Sequence, residues 1–294
     1  MREFHLDIPL GRIHGLRQGR AGQPRVLALH GWLDNAASFV PLAGHLDGIE
    51  LVAVDLPGHG RSAHLPPGAD YSFAGALHAV LDIADALDWE RFALLGHSMG
   101  AGIASLLAAA CPGRVTRLVA IEALGALPDS EDNTVPRLRE AIDAGRALGG
   151  KRMRMFEELE TPVRARTLAR TGAIGEAAAR LLVERGVREV VADDGRRGWV
   201  WSSDPRLTLP TLVRMTPGQV QALIRGIQCP TRVIHADPPQ PYLPEPRRSE
   251  HAALLPDGEL QVLPGGHHLH MEQPAAVAAA IGDFLRADGD PARR

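Results

Sequence analysis

The sequence predicts an α/β protein with a mostly parallel eight-stranded sheet, helices on both faces and an inserted helical lid. Short apolar runs alternate with longer Ala- and Leu-rich stretches, which is typical of strands joined by crossover helices. The alternation stops after Leu124 and resumes near residue 229. The 294 residues therefore predict one core, formed by 1–124 and 229–294, with a cap or lid at 125–228.

Eight segments carry a strand pattern. The first two form an opening hairpin, and the next four are continuous apolar runs, as expected of strands covered on both faces. Right-handed crossovers predict that consecutive strands lie side by side. The segments are Phe4–Ile8, Arg12–Arg17, Val26–Leu29, Leu51–Asp55, Phe92–Leu95, Leu118–Ile121, Thr231–His235 and Glu259–Leu263.

Helical patterns lie between these strands. The segment Ser72–Leu87 has apolar residues in a 3.6-residue rhythm, so it should pack one face on the sheet. The long segment from Leu124 to about Gln228 is helical in pattern and rich in arginine, with no strand pattern that could join the sheet. The other predicted helices are Ala37–Leu46, Ala101–Ala110, Ser249–Leu255 and Ala275–Leu285.

Composition excludes several classes of function. The net charge of −3, against 32 basic residues, gives no field that would gather nucleic acid. Cys111 and Cys229 fit neither a disulfide framework nor a zinc site. No run approaches the length of a membrane span, and charges near Met1 argue against a signal peptide. We expect a cytoplasmic protein; its oligomeric state is left open.

A pentapeptide at a strand-to-helix junction is the first candidate for chemistry. Gly96-His97-Ser98-Met99-Gly100 follows the strand Phe92–Leu95 and opens the helix Ala101–Ala110, which is the setting of the G-x-S-x-G motif. Such a tight turn strains its central residue, so glycines two positions to either side avoid clashes. The helix N-terminus adds positive potential. We expect Ser98 to be a nucleophile.

A serine hydroxyl needs a base that accepts its proton. His267 follows the last predicted strand after the flexible pair Gly265-Gly266, which lets the imidazole reach over the strand ends. We expect His267 to be that base. The alternatives are a capping histidine or, with His268 and His270, a metal site, but no H-E-x-x-H helix or paired carboxylate accompanies them. The sequence therefore indicates neither a metal nor a cofactor.

The segment His30-Gly31-Trp32 closes the predicted strand Val26–Leu29. In this architecture, the loop at that position supplies a second backbone donor for a tetrahedral oxyanion. We expect the backbone N–H groups of Trp32 and Met99 to form the oxyanion hole. His30 itself is expected to be a buried structural residue, and packing of the Trp32 indole in the pocket wall is compatible with its amide acting as a donor.

Together, these three segments resemble the α/β-hydrolase superfamily over roughly residues 4–124 and 229–286. The segment Asp55-Leu56-Pro57-Gly58-His59-Gly60-Arg61-Ser62 resembles the turn after that family's fourth strand, where its role is structural. The resemblance implies the same fold and a hydrolase reaction.

Within the superfamily, the chain is similar to the serine hydrolase-like proteins. That similarity is carried by Leu29–Asn35, Ser203–Leu207 and Gly266–Met271. Those proteins resemble haloalkane dehalogenases and epoxide hydrolases in layout. Such enzymes use an aspartate nucleophile, whereas Ser98 stands here. The resemblance therefore implies acyl transfer to water rather than an alkyl-enzyme ester.

The acid that orients the imidazole has two candidates, because the superfamily places it after either of two strands. Glu122 directly ends the strand Leu118–Ile121, as in the dehalogenase-like arrangement. Asp237 follows a later strand, but the commoner pattern has its acid two residues further on, where Pro239 stands. We favour Glu122. The structural alternatives are a salt bridge at the lid hinge for Glu122 and a turn or cap for Asp237.

The lid holds the candidates for substrate contacts. Phe156, Trp199 and Trp201 are large apolar residues that are candidates for lining an acyl pocket, although core packing is the alternative for each. Residues 137–170 contain nine basic and five acidic side chains. These indicate either an anionic substrate or, as we favour, the solvated face of amphipathic helices.

The leading functional hypothesis is a serine hydrolase of a carboxylic ester or thioester with a small to medium apolar acyl group. A different class of function, a small-molecule receptor or degenerate hydrolase on the same scaffold, is the alternative. Another chemistry of this superfamily, such as C–C bond hydrolysis, also stays open because fold does not fix function.

Overall fold

An eight-stranded sheet forms the centre of the computed structural model, which describes residues 1–149, 154–169 and 174–286. All eight predicted strands are confirmed, and two further strands form a separate hairpin. The strands are β1 (Arg2–Ile8), β2 (Gly11–Gln18), β3 (Arg25–Leu29), β4 (Glu50–Val54), β5 (Phe92–His97), β6 (Val115–Ile121), β7 (Val187–Val191), β8 (Arg197–Trp201), β9 (Thr231–Asp237) and β10 (Gly258–Pro264).

The order of strands across the sheet is β1-β2-β4-β3-β5-β6-β9-β10. The β1–β2 and β2–β4 pairs are antiparallel and the other pairs are parallel. The predicted adjacency is therefore wrong for β2 with β3 and for β4 with β5. The chain moves outward from β3 to β4 and then crosses back over β3 to β5. Reversal at that point opens a crevice at the carboxyl ends of β3 and β5, where ligands bind in open α/β sheets.

Helices cover both faces of the sheet, and none in the described chain is both long and apolar enough to cross a bilayer. The first predicted helix, Ala37–Leu46, is instead a 3₁₀ turn (Ala36–Phe39) followed by a short helix. The helices are α1 (Val40–Ala43), α2 (Phe73–Ala86), α3 (Met99–Ala110), α4 (Thr134–Leu148), α5 (Glu160–Thr167), α6 (Glu176–Gly186), α7 (Pro217–Arg225), α8 (Arg247–Ala252), α9 (Leu269–Glu272) and α10 (Pro274–Ile281).

The sheet separates two apolar cores because successive side chains of a strand point to opposite faces. Leu27 and Leu29 of β3 pack on one face with α2, α3 and α7. Val26 and Ala28 of the same strand pack on the other face with α1 and α10. All four side chains are fully buried, which explains why this strand has a continuous apolar sequence.

The lid segment is not wholly helical, which corrects the prediction for residues 187–201. There β7 and β8 pair antiparallel. Their connection carries a signal that the helical interpretation overlooked: Asp194 is followed by Gly195, which has a φ of 82° and donates its N–H to Ala192 O at 2.9 Å. Asp-Gly between apolar runs is a strong hairpin pattern.

The last helix before the sheet resumes belongs with the core by its packing. Val220 and Ile224 of α7 are fully buried in the same apolar core as α2 and α3. The division into core and lid stays a prediction, and this packing favours a lid that ends before Pro217.

Candidate active site

Ser98 occupies a strained turn between β5 and α3. Its backbone has φ 51° and ψ −116°, a conformation that side-chain-bearing residues rarely adopt. A Cβ on Gly96 would lie 2.4 Å from Ala101 Cα, and one on Gly100 would lie 1.9 Å from Leu29 O. Both positions therefore require glycine, and the turn packs tightly against the end of β3.

His267 reaches Ser98 from the loop after β10. Its Nε2 lies 3.0 Å from Ser98 Oγ, and its Nδ1 lies 3.2 Å from Glu122 Oε2. A hydroxyl, an imidazole and a carboxylate that contact one another in this order form the arrangement that activates a serine. The carboxylate keeps the proton on Nδ1, so Nε2 presents its lone pair to the hydroxyl.

Glu122 is held in place by the ends of two strands. It follows β6 with a φ of 60°, and its N–H donates to Ile234 O at 2.9 Å. Its buried carboxylate accepts a 2.6 Å hydrogen bond from the Ala236 N–H. Burial alone would raise the pKa of Glu122, but His235, His267 and this N–H outweigh burial and lower the pKa to about 2. The carboxylate is therefore charged at neutral pH.

Asp237, the other candidate acid, lies apart from this arrangement. Its side chain is 66% exposed and its nearest ionic partner is Arg248, at 4.0 Å. The structure brings Glu122, rather than Asp237, to the imidazole of His267. Both candidates are carboxylates at the end of a strand, so the sequence favoured Glu122 without excluding Asp237.

Trp32 and Met99 both line the cavity beside Ser98. A Cβ on Gly31 would lie 2.9 Å from His97 Nδ1, so the loop before Trp32 can approach β5 only with glycine there. The Trp32 indole donates to Leu207 O at 2.8 Å and so joins the loop to the lid. The role of the two backbone amides as an oxyanion hole stays a prediction.

His30 is fully buried and uses both ring nitrogens for local structure. Nδ1 donates to Gly31 O at 2.7 Å, and Nε2 accepts the Leu56 N–H at 3.0 Å. Burial lowers the pKa of this imidazole, so it is neutral. His30 therefore connects the loops after β3 and β4.

The three histidines of the segment after β10 have three different partners. His267 faces Ser98, His268 Nε2 lies 3.2 Å from Asp34 Oδ2, and His270 Nε2 lies 2.6 Å from Ser38 Oγ. The three imidazoles thus do not converge on one point, as a metal site formed by them would require.

Asp34, His97 and His268 form a buried cluster of metal-ligating residue types in the described part of the chain. The lid residue Arg166 pairs with the Asp34 carboxylate, which also faces His268. Burial would raise the pKa of Asp34, but His268 and Arg166 hold it well below its usual range. Side chains of the chain itself therefore already balance the charge of this carboxylate. Sequence reasoning missed Asp34, although it stands two residues after Trp32.

A cavity of about 720 Å³ opens beside Ser98. Much of its wall is apolar, which suits an acyl chain or another apolar group. Charged side chains also line it, among them Arg166, Arg206, Arg214 and Arg247. The apolar lining comes from the loop after β6, from helices α2 and α3 and from the end of the lid, and includes Phe73, Ile103, Leu124, Leu127, Leu207 and Leu209.

Phe156, Trp199 and Trp201 do not line this cavity, so their prediction as pocket residues is corrected. Phe156 pairs through its backbone with Trp199, at 2.8 and 2.7 Å, and its ring stacks edge-on against Trp201 with 6.1 Å between centroids. The two tryptophans pack against a separate apolar cluster that includes Val163 of α5 and Leu182 of α6. Because they belong to or pair with the β7–β8 hairpin, these residues pack within the segment 125–228 rather than at the cavity.

Most of the described basic residues between 137 and 170 are exposed, in line with the interpretation that they form the solvated face of amphipathic helices. Arg139, Arg146, Arg154 and Arg164 are exposed, whereas Arg137 pairs with Asp129 and Arg166 with Asp34. Three of the predicted set, Lys151, Arg152 and Arg170, lie outside the described residues.

Comparison with known proteins shows which family the chain resembles. The model of the alpha/beta hydrolase family matches residues 26–280. A serine hydrolase-like protein of Dictyostelium discoideum is 30% identical over 277 residues, which cover 90% of this chain and 76% of that protein. Lipase LipV of Mycobacterium tuberculosis is 31% identical, with coverage of 93% and 97%. The crystal structure of hypothetical protein PA1622 from Pseudomonas aeruginosa superposes with a TM-score of 0.87 at 40% identity, with coverage of 97% and 98%.

Proposed function

Because the chain belongs to the alpha/beta hydrolase family, among its serine hydrolase-like proteins, we propose that it cleaves a carboxylic ester or thioester through an acyl-enzyme on Ser98. The observation that carries this proposal is the chain of contacts from Ser98 Oγ to His267 Nε2, at 3.0 Å, and from His267 Nδ1 to Glu122 Oε2, at 3.2 Å.

Acylation begins when Ser98 Oγ attacks the carbonyl carbon and His267 Nε2 takes the hydroxyl proton. Glu122 stabilises the resulting imidazolium. The tetrahedral oxyanion accepts hydrogen bonds from the N–H groups of Trp32 and Met99, and each such donor contributes about 3 kcal/mol to lowering the barrier. Collapse breaks the bond to the leaving group, which departs as an alcohol or thiol with the proton from His267.

Deacylation repeats these steps with water. His267 Nε2 takes a proton from a water molecule as the water attacks the acyl carbon, and the proton then passes to Ser98 Oγ as the carboxylic acid leaves. The acid and base roles of one imidazole are thus used twice, and no other titratable group is required to move a proton.

The acyl group is proposed to be apolar and of small to medium size. Support comes from the apolar wall of the cavity, in which Phe73 and Ile103 lie on the core side and Leu207 on the lid side. The similarity to a protein named lipase also favours an ester substrate.

A fluorophosphonate reagent tests the nucleophile. We expect labelling of the protein at Ser98, identified by mass spectrometry of the peptide, and no labelling of Ser98→Ala. Esters of p-nitrophenol with graded acyl chains should be hydrolysed with a preference for one chain length. Hydrolysis that survives in Ser98→Ala contradicts the proposal, and labelling followed by a burst without turnover favours a degenerate hydrolase.

A further inference from the structure

Four arginines of the described chain line the cavity beside Ser98, and two of them are paired within the protein. Arg166 pairs with Asp34. Arg206 lies 2.7 Å from Asp204 Oδ2 and donates to three backbone oxygens of the loop before α2. The charges of these two guanidiniums are therefore balanced by the chain itself, and their hydrogen-bond donors are largely used.

The other two are the loop arginines, Arg214 and Arg247, which have no carboxylate oxygen within 4.0 Å among the described residues. Arg214 lies near the end of the loop after β6, because the next residue, Met215, accepts the Asp129 N–H of that loop at 2.9 Å. The Asp129 carboxylate already pairs with Arg137. Partial burial and the charge of Arg137 lower the pKa of Arg214. Two guanidiniums thus share one carboxylate here.

Arg247 lies near the start of the same loop. It is the first residue of α8, one turn before His251. The His251 imidazole forms a hydrogen bond with the backbone of Leu124, two residues after Glu122. Burial and the charge of Arg247 lower the pKa of His251, which shows that this guanidinium is close to the ring. Both loop arginines are exposed, so a ligand in the cavity can reach them.

The carboxylates of the cavity lie elsewhere. Asp70 lines the cavity, but it follows Ala69, whose backbone oxygen accepts a hydrogen bond from Arg206 at 3.0 Å. Asp70 and Asp204 are therefore both on the side of Arg206. Glu122, which begins the loop after β6, is buried and hydrogen-bonded within the candidate site. The two loop arginines thus leave uncompensated positive charge along this loop, where an anion is favoured.

We propose that the loop arginines bind an anionic group of the substrate, a carboxylate or a phosphate, which an apolar part joins to the scissile ester. This inference rests on the proposed function and narrows its substrate. A guanidinium presents a planar fork of donors that matches the oxygens of either anion. The apolar wall, with Phe73 and Ile103, accommodates the part between the anion and the ester.

Pairs of matched esters test the proposal. The first pair has the charge on the acyl part: the p-nitrophenyl monoester of adipic acid, and the same compound with its second carboxylate methylated. The second pair has the charge on the alcohol part: the hexanoyl esters of p-hydroxybenzoate and of p-hydroxybenzamide. Each pair gives a ratio of kcat/KM, anionic over neutral. Comparing one ratio between protein variants cancels the intrinsic reactivity of the two esters.

The double variant Arg214→Gln/Arg247→Gln should lower this ratio by about tenfold in one of the two pairs, because charge-assisted hydrogen bonds to the anion are lost. The pair that responds identifies the part of the substrate that carries the charge. The wild-type ratio for that pair should also fall when NaCl is raised from about 0.05 M to about 0.5 M, because salt screens exposed charges. Thermal unfolding checks that the variant is folded.

Arg139→Gln is the matched control, because Arg139 is an exposed arginine that does not line the cavity. It should leave both ratios at their wild-type values. Ratios that do not change in the double variant overturn the proposal. An equal fall in Arg139→Gln overturns it as well, because the effect would then come from the net charge of the protein.

Calorimetry on Ser98→Ala separates this inference from the proposed function, because it needs no turnover. Hexyl phosphate and hexanoate are the probes, and the one that binds more tightly identifies the preferred anion. Weaker binding of that probe when Arg214→Gln and Arg247→Gln are added supports the anion site even if esters are not the substrate. Unchanged binding overturns the site even in an active esterase.

Discussion

At the scale of single residues, the candidate site is built on two strained backbone positions. Ser98 and Glu122 have φ angles of 51° and 60°, although neither is glycine. Such conformations cost about 1–3 kcal/mol each and persist only where the surroundings hold them. The Ser98 N–H donates to Ile121 O at 2.8 Å, and the Glu122 N–H donates to Ile234 O at 2.9 Å. Backbone hydrogen bonds to the neighbouring parallel strands therefore hold both residues in place.

The identity of the acid gives a prediction at this scale. Glu122→Gln keeps the shape of the side chain but removes the charge that holds the Nδ1 proton, so kcat should fall by about 10³–10⁴. Asp237→Asn alters a side chain that is largely exposed, so its kcat should stay close to that of the wild type. Steady-state assays of both variants on one ester provide the measurement. A collapse of the rate in Asp237→Asn alone would assign the role to Asp237.

At the scale of elements, the site depends on the contact between β3 and the start of α3. Gly100 lies in the first turn of α3, and the position that its Cβ would occupy is 1.9 Å from Leu29 O and 2.7 Å from His30 O. The helix N-terminus and the loop that carries Trp32 therefore meet through backbone atoms alone. This contact holds together the two turns that carry Met99 and Trp32, and both residues line the same cavity.

The substitution Gly100→Ala should push the start of α3 away from the end of β3. Alanine gains about 1 kcal/mol of helix propensity, but the overlap is with a strand carbonyl that cannot move aside. We expect a net loss of stability of about 1–3 kcal/mol and much slower fluorophosphonate labelling of Ser98. Urea unfolding measures the first effect and labelling kinetics the second.

Gly113→Ala is the control for this substitution, because nothing lies within 4 Å of the position that its Cβ would occupy. Its stability should stay within about 0.5 kcal/mol of the wild type. If Gly100→Ala is equally neutral, the close approach of α3 to β3 is not what positions the site.

At the scale of the whole molecule, arginines of the segment 125–228 pair with carboxylates of the sheet and its loops. Arg185 of α6 lies 2.8 Å from Asp55 Oδ1 after β4 and 2.6 Å from Glu3 Oε1 of β1. Arg166 of α5 pairs with Asp34 after β3. Breaking one partner of such a buried pair leaves an uncompensated charge, which is strongly unfavourable. The segment 125–228 is thus connected to the sheet through Arg185 and through Arg166, of which Arg166 lines the cavity.

Buried neutral histidines make the stability of the whole chain depend on pH. Burial, with smaller effects from neighbouring imidazoles, lowers the pKa of both His59 and His270 to about 3. An unfolded histidine takes up a proton near pH 6.5, so the unfolded state binds more protons as the pH falls below that value. Stability is therefore fully present above about pH 6.5 and is lost progressively towards pH 3, by about 2 kcal/mol for each group at pH 5.

His59→Asn tests this dependence, because the amide can replace the Nδ1–H that donates to Pro57 O. The free energy of unfolding is measured in urea at pH 7.5 and at pH 5. The loss of stability between these two pH values should be about 2 kcal/mol smaller in His59→Asn than in the wild type. His45, whose side chain is exposed, supplies the control substitution. Equal losses in His59→Asn and the wild type would contradict the assignment.

The sequence by itself determined the features that are encoded locally. The eight strands of the sheet are each a short run with its own apolar pattern, and Ser98 and His267 are each marked by glycines next to a strand end. These signals lie within a few residues, because strand periodicity and the steric need for glycine at a tight turn are local properties. The β7–β8 hairpin was also marked locally, by Asp194-Gly195, and was missed in favour of a helix.

The tertiary structure alone decided what depends on distant parts of the chain. Strand order and the contact of Glu122, rather than Asp237, with His267 both depend on how crossovers bring strand ends together. Likewise, Leu207 lines the cavity and Phe156 does not, because Phe156 packs against Trp201 of the β7–β8 hairpin. No local pattern encodes these choices, because the sequence around a carboxylate at a strand end does not indicate which strand lies next to it in the sheet.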